Sequence, residues 1–159
     1  MPIHLGGIGS VYYFAYGSNL YWPQMHKRCP SSRFVCAARL SNYQFGITRH
    51  SRLRDCGTAN VFPVKGREVW GAVYDVSDAD LNVMDGFEDG YRREILTVNP
   101  FDDGDKPINV LVYVAEIENN VPLPNAEYKR LILAGAKHWR LPEAYLTMLE
   151  AIEAAKETH

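Results

Sequence analysis

Tyr12-Tyr13-Phe14-Ala15-Tyr16-Gly17-Ser18-Asn19-Leu20 is the stretch whose reading decides the fold. Aromatic and β-branched residues over positions 11–16 suit a pleated, largely buried surface, so the spacing predicts a strand there. The strand breaks at Gly17-Ser18-Asn19, three residues that tolerate tight or left-handed turns. A buried strand that stops abruptly in small polar residues leaves several backbone N–H groups unpaired at its tip. Such a cluster can hold a carboxylate or an oxyanion. An ordinary strand-to-helix turn with an N-cap fits the same residues, and the rest of the chain has to separate the two readings.

Upstream, Gly6-Gly7-Ile8-Gly9-Ser10 invites comparison with a dinucleotide loop, but it precedes its strand where that fingerprint must follow one. Residues 1–10 read as a flexible lead-in. Downstream, residues 20–29 suit a short helix with Pro23 in its first turn. Residues 33–48 read as one long bent strand or two joined near Leu40-Ser41-Asn42. The polar run from Arg49 to Gly57 reads as a loop whose three arginines and one histidine could approach an anionic substrate. A strand pair is expected over 58–64 and 69–76 around Lys65-Gly66-Arg67, and Gly71 suggests a close approach by another backbone or a ligand. Ser77-Asp78-Ala79-Asp80 resembles a capping box that opens a short helix, ending at Asp85-Gly86-Phe87-Glu88-Asp89-Gly90. Strands over 91–98 and 108–117 flank a loop at 99–107. Two helices close the chain, the first with Tyr128, Leu131, Ile132, Gly135, Ala136 and Trp139 on its inward face, the second opening at Pro142 and burying Tyr145, Leu146, Leu149 and Ile152. Strands early and helices late point to an α+β fold, one domain over 1–159, whose mixed sheet curls into a small β-barrel with flanking helices.

The composition narrows the function classes. With 47% hydrophobic and 23% charged residues, the chain has enough apolar surface to build a folded core. A net charge of −2 supplies no global basic field for nucleic acid or an anionic membrane. No apolar run approaches the roughly 18 residues that span a bilayer, and the first ten residues lack a signal-peptide pattern, so a cytoplasmic location is expected. Cys29, Cys36 and Cys56 are odd in number and lack CxxC spacing, which argues against a disulfide framework or a zinc site.

Familiar catalytic signatures are absent: no GxSxG elbow, HExxH, P-loop or EF-hand occurs. A Cys56–His50 nucleophilic pair is open on sequence grounds. Among the acids, Glu88 stands out because it sits at a helix-to-strand break beside Phe87 and between two glycines. An apolar neighbour and the like charge of Asp89 would each raise its pKa toward that of a general base. A turn carboxylate at the surface is the competing reading.

These pieces together resemble the γ-glutamylcyclotransferase family. Tyr13-Phe14-Ala15-Tyr16-Gly17-Ser18-Asn19-Leu20 is similar to the motif that opens its members, and it is specific at eight residues. Val69-Trp70-Gly71-Ala72-Val73-Tyr74, Met84-Asp85-Gly86-Phe87-Glu88, Tyr128-Lys129-Arg130, Gly135-Ala136-Lys137, Leu141-Pro142 and Tyr145 follow in the family's order. The resemblance covers nearly all of residues 11–152. It implies a β-barrel with the substrate at one rim, no cofactor and no metal. The implied reaction turns a small-molecule γ-glutamyl compound into 5-oxoproline and a free amine.

The family's substrate-holding loop maps onto Tyr16, Gly17, Ser18, Asn19 and Leu20, its catalytic acid onto Glu88, and its pocket tyrosines onto Tyr91, Tyr113 and Tyr128. The resemblance leaves room for a homodimer, which nothing in the residue pattern requires. Two departures stand out: relatives often carry Gly directly after the catalytic Glu, where this chain has Asp89 and then Gly90, and the run from Arg49 to Gly57 differs from theirs. The second departure leaves the departing amine open between amino acids or dipeptides, amines such as ε-linked lysine, and a larger metabolite. A non-catalytic binding module of the same fold is the remaining alternative.

Overall fold

β1 (Ser10–Ala15) forms the wall from which the site is hung. In the computed structural model, which describes residues 9–102 and 106–157, it pairs antiparallel with β3 (Cys56–Ser77), Tyr13 facing Tyr74 and Ala15 facing Ala72. Its other edge runs parallel to β5 (Ile108–Val114), with Tyr13 opposite Leu111. β2 (Arg33–Ser51) pairs antiparallel with β3, and β4 (Arg92–Pro100) bridges β2 to β5. The result is a closed mixed barrel in the order β1-β3-β2-β4-β5. The expected Gly6–Ser10 lead-in lies mostly outside the described residues, with Ser10 already in β1.

β2 and β3 hold 19 and 22 residues, well beyond the usual strand of roughly 3–10. They bend at register shifts between Phe34 and Cys36, Ser41 and Tyr43, and Ile47 and Arg49. Two expectations change here. Lys65-Gly66-Arg67 is no hairpin turn, because residues 58–64 and 69–76 belong to one strand. Residues 64–67 bulge between the Ser41–Glu68 and Tyr43–Pro63 pairs, and the Asn42 side chain accepts the Gly66 N–H at 3.0 Å. Gly66 at φ 85° and Asn42 at φ 63° adopt the left-handed backbone that this bulge needs. The Arg49–Gly57 run is mostly ladder as well: pairing continues to Ser51–Cys56, and only residues 52–55 turn.

The strand expected over 108–117 ends at Val114, since the buried Asn60 side chain takes both the N–H and the C=O of Ala115 at 2.9 and 2.8 Å. β1 and β4 keep their expected places within two residues. After β1 comes a single 3-10 turn, Ser18–Leu20, and then α1 (Trp22–Arg28) with Pro23 in its first turn. α2 (Asp78–Phe87) is capped by Ser77 Oγ, which accepts the Asp80 N–H at 3.1 Å. The reciprocal half of the expected capping box is missing: Asp80 turns to Ser31, and Ser31 Oγ accepts the Ser77 N–H instead. α2 also runs to Phe87, so Glu88 becomes its C-cap. α3 (Ala126–His138) and α4 (Glu143–Glu150) close the described chain, and α4 buries Tyr145, Leu146 and Leu149.

Two glycines let backbones meet. At Gly71 a Cβ would stand 2.3 Å from Ala15 O, so the close approach expected there is that of a backbone. At Gly135 a Cβ would stand 2.2 Å from the Leu20 carbonyl carbon, which places α3 directly on the 3-10 turn. Tyr74 and Trp139 complete the floor beneath that turn, their ring centroids 6.1 Å apart. Gly135→Ala forces α3 and the turn apart. The variant should lose about 1–3 kcal/mol in urea unfolding, the usual cost of overpacking, and an unchanged midpoint would show that this contact is not tight.

Candidate active site

The turn after β1 is gripped from below through its carbonyls. The Tyr74 hydroxyl donates to Asn19 O at 2.8 Å, and the Trp139 indole N–H donates to Leu20 O at 2.9 Å. Leu20 and Tyr21 spend their N–H groups on Gly17 O and Ser18 O. The N–H groups of Gly17, Ser18 and Asn19 have no acceptor among the described residues, as the first turn of a helix leaves them. These same three residues line a cleft, open at its mouth, at one end of the barrel.

Glu88 enters this cleft from the end of α2. Its N–H is held by Met84 O and Asp85 O, and its C=O accepts the Tyr91 N–H at 3.0 Å. Its Oε1 accepts a hydrogen bond from Asn19 Nδ2 at 3.3 Å. The orientation of that carboxamide is set by two donors on its oxygen, Gln24 Nε2 at 3.0 Å and Arg28 Nη1 at 3.2 Å. Gln24 is fixed in turn by Arg54 Nη2, which donates to Gln24 Oε1 at 2.8 Å and to Ser18 Oγ at 3.1 Å. A chain of side chains therefore runs Arg54–Gln24–Asn19–Glu88 along the wall.

Burial raises the Glu88 pKa from 4.5 to about 7, against the pull of Arg28 and Arg54, with Asp85 adding to the rise. The like charge that acts is Asp85, three residues back on α2, rather than the sequence neighbour Asp89, which is exposed. Asp85 stays ionised: desolvation works against it, but Arg93 grips it at 2.9 and 2.7 Å and the Tyr113 hydroxyl donates to it at 2.6 Å, holding its pKa down. The Asp89–Gly90 backbone is pinned from β2, where Arg49 donates to Asp89 O at 3.2 Å and to Glu118 at 3.2 Å. Gly90, at φ 85°, faces the Arg49 guanidinium, which a Cβ would strike at 2.0 Å.

Of the nine residues singled out from sequence, Glu88, Tyr16, Gly17, Ser18, Asn19, Tyr91, Tyr113 and Tyr128 line the cleft, and Leu20 does not. The Leu20 side chain is fully buried, part of the core beneath the turn. The tyrosines divide by what their hydroxyl protons do. Tyr16 donates to Tyr113 O at 2.6 Å, Tyr113 to Asp85, and Tyr91 to Ala59 O at 2.6 Å. Tyr128 accepts the Ala59 N–H at 2.9 Å, and its own proton has no acceptor among the described residues. Tyr13, missed as a site residue, is in the same state: it accepts from Asn19 Nδ2 at 3.0 Å. Burial pushes the pKa of both hydroxyls up, so they remain donors at neutral pH.

Arg28 and Arg54 were also missed as individuals. Nothing in their local sequence separates them from surface cations; α1 and the β2–β3 turn bring them to the cleft. Cys56 is buried and His50 Nε2 faces Asp55 at 3.7 Å, so the two make no nucleophilic pair. No group of three or more His, Cys, Asp or Glu side chains placed to hold a metal occurs among the described residues. No helix of the described residues is long and apolar enough to cross a membrane.

Comparison with known proteins agrees with this arrangement. A family model described as gamma-glutamyl cyclotransferase, AIG2-like, matches residues 13–141. Gamma-glutamylcyclotransferase of Homo sapiens is 36% identical over 151 residues, covering 91% of this chain and 79% of the human protein. The Mus musculus protein of the same name is 33% identical over 159 residues, with 94% and 83% covered. A solved structure of a gamma-glutamyl cyclotransferase superposes with a TM-score of 0.85 at 34% identity, covering 94% of this chain and 92% of that one, and its fold is the barrel described above. The chain is thus an enzyme belonging to the gamma-glutamyl cyclotransferase, AIG2-like family.

Proposed function

We propose that this enzyme converts γ-glutamyl amino acids or dipeptides to 5-oxoproline and the free amine, with Glu88 as general base and then general acid. The observation that carries the reading is the placement of one desolvated carboxylate, Glu88, beside a turn whose three leading N–H groups are uncommitted. The α-carboxylate of the glutamyl head would sit on the N–H groups of Gly17, Ser18 and Asn19, as anions sit in backbone nests. Its α-ammonium would then face Glu88. With an ordinary pKa of about 8, that ammonium must lose a proton before its nitrogen attacks. A carboxylate held near 7 is matched to accept it.

The nitrogen attacks the γ-carbonyl of the same molecule, the C–N bond of the five-membered ring forms, and the bond to the departing amine breaks. Glu88 returns its proton to that amine, then takes the second proton, which the ring nitrogen sheds as it becomes an amide N–H. It releases this proton so that the amine departs as its ammonium. Because nucleophile and carbonyl share one molecule, the site's main task is to hold the chain curled, for which effective molarities of roughly 10⁵–10⁸ M are known. Tyr128 and Tyr13 are the hydroxyls free to donate to the carbonyl oxygen as it becomes an oxyanion. The buried, reduced thiols Cys29 and Cys56 fit a reducing compartment such as the cytoplasm.

Glu88→Gln should lower 5-oxoproline release by roughly 10²–10⁴-fold, the usual worth of a positioned acid–base group, while calorimetry still detects substrate binding. Turnover close to wild type would remove Glu88 from the mechanism.

The working base is the ionised form, so kcat/KM of the wild type should fall as pH drops through about 7 rather than 4.5. A profile flat down to pH 5 would contradict the desolvated state of this group. Stability carries the same sign. The folded pKa is raised, so the contribution of Glu88 is fully present below 4.5 and is lost as pH rises through about 7. Glu88→Gln should therefore unfold at a higher temperature than wild type at pH 8, with the gap closing at pH 4.

A further inference from the structure

Arginine can only donate hydrogen bonds, and in the wall of the cleft that one-way chemistry sets the direction of the bonds that follow. Arg54 Nη2 stands 2.8 Å from one end of the Gln24 carboxamide and 3.1 Å from Ser18 Oγ. The Gln24 atom that meets it must therefore be the oxygen, which turns Nε2 toward the residues after β1. Nε2 spends its protons on two consecutive residues there, Ser18 Oγ at 2.9 Å and Asn19 Oδ1 at 3.0 Å. Asn19 Oδ1 also accepts from Arg28 Nη1, so Asn19 Nδ2 is left to face Glu88.

Ser18 shows the larger consequence. A hydroxyl oxygen has two lone pairs, and Gln24 Nε2 and Arg54 Nη2 occupy both. The hydroxyl proton cannot turn to either neighbour, and it has no acceptor among the described residues. Ser18 is buried and lines the cleft, so its proton is left for a guest. Gln24 is half-buried on α1 behind that lining and acts only through what it holds.

Building on the cyclotransferase reading above, we propose that Gln24 is a positioning residue. It keeps the Ser18 hydroxyl a donor to the cleft, where the proton joins the N–H groups of the turn on the glutamyl α-carboxylate. An acceptor at position 24 would reverse the hydroxyl at little cost, since only the O–H bond has to rotate. Asn19 resists the same reversal, because turning its carboxamide would set Nδ2 against the donor Arg28.

Gln24→Glu is nearly isosteric and gains an ion pair with Arg54, so it keeps the packing while putting an acceptor where a donor stood. Its kcat/KM for γ-glutamyl-alanine should fall by about tenfold or more, the usual worth of a hydrogen bond to a charged group. Gln24→Met removes the donor without supplying an acceptor and should lose less. A side chain that merely tied α1 to Arg54 would give the opposite order, and a greater loss in Gln24→Met would overturn the proposal. Ser18→Ala separates the hydroxyl from the added charge: in that background most of the loss caused by Gln24→Glu should vanish. A loss undiminished there would also overturn the proposal, because the charge at position 24 would then act without Ser18. Thermal unfolding checks that each variant is folded. Should Gln24→Glu fail to fold, the same cycle runs with Gln24→Met, whose smaller loss must likewise shrink beside Ser18→Ala. Release of no 5-oxoproline by the wild type would sink the cyclotransferase reading instead, and calorimetry with γ-glutamyl-alanine then decides Gln24 on its own. Binding weakened by Gln24→Glu, and weakened no further when Ser18→Ala already carries the loss, supports the proposal. Equal binding by wild type and Gln24→Glu, or no binding by the wild type, overturns it.

Discussion

Everything at the site depends on how the carbonyls of Asn19 and Leu20 are taken up by the core. Tyr74 and Trp139 bury most of their surface and offer one polar atom each, and those two atoms meet these carbonyls, with Trp139 Nε1 also 3.0 Å from the Tyr74 oxygen. Buried polar groups must be paired, so this arrangement fixes the peptide planes of the turn from beneath. The backbone contact of α3 at Gly135 holds the same turn from a second side. With its carbonyls committed downward, the turn keeps its leading N–H groups for the cleft. The anion site proposed above would thus be made chiefly from backbone, with its rigidity coming from aromatic residues distant in the sequence.

The second constraint is electrostatic. A carboxylate surrounded by tyrosines pays a desolvation cost, and two arginines near Glu88 only partly offset it. Asp85 shows the contrary case within the same helix: bound by Arg93 and Tyr113, it stays ionised. Two carboxylates three residues apart therefore titrate in different pH ranges, because one faces the cleft and the other faces a guanidinium. That separation leaves Glu88 free to exchange a proton while Asp85 anchors Tyr113, whose backbone carbonyl in turn holds Tyr16.

Much of this was legible in the chain, and the failures have physical causes. The strand ending in Gly17-Ser18-Asn19, the acid at the end of α2 and the close approach at Gly71 each follow from local chemistry, and the structure places them where that chemistry puts them. The Arg49–Gly57 run looked like a loop because its residues lack β-forming side chains. Its pairing is imposed by the register of two very long strands, a tertiary effect that propensity does not carry. The break at Gly66 looked like a hairpin because a bulge and a turn use the same left-handed glycine. Leu20 belongs to the motif but points into the core, since a motif marks a backbone and not the direction of each side chain. Arg28 and Arg54 were the hardest to find, because only the packed structure brings them from α1 and the β2–β3 turn to the cleft.

The central claim is that the glutamyl head binds with its carboxylate on the turn and its amine on Glu88. A crystal structure of Glu88→Gln soaked with γ-glutamyl-alanine tests it most directly. The account predicts the α-nitrogen within about 3.2 Å of the residue 88 side chain, with the α-carboxylate on the N–H groups of Gly17, Ser18 and Asn19. A substrate bound with its α-amine turned away from residue 88, toward the mouth of the cleft, would contradict it.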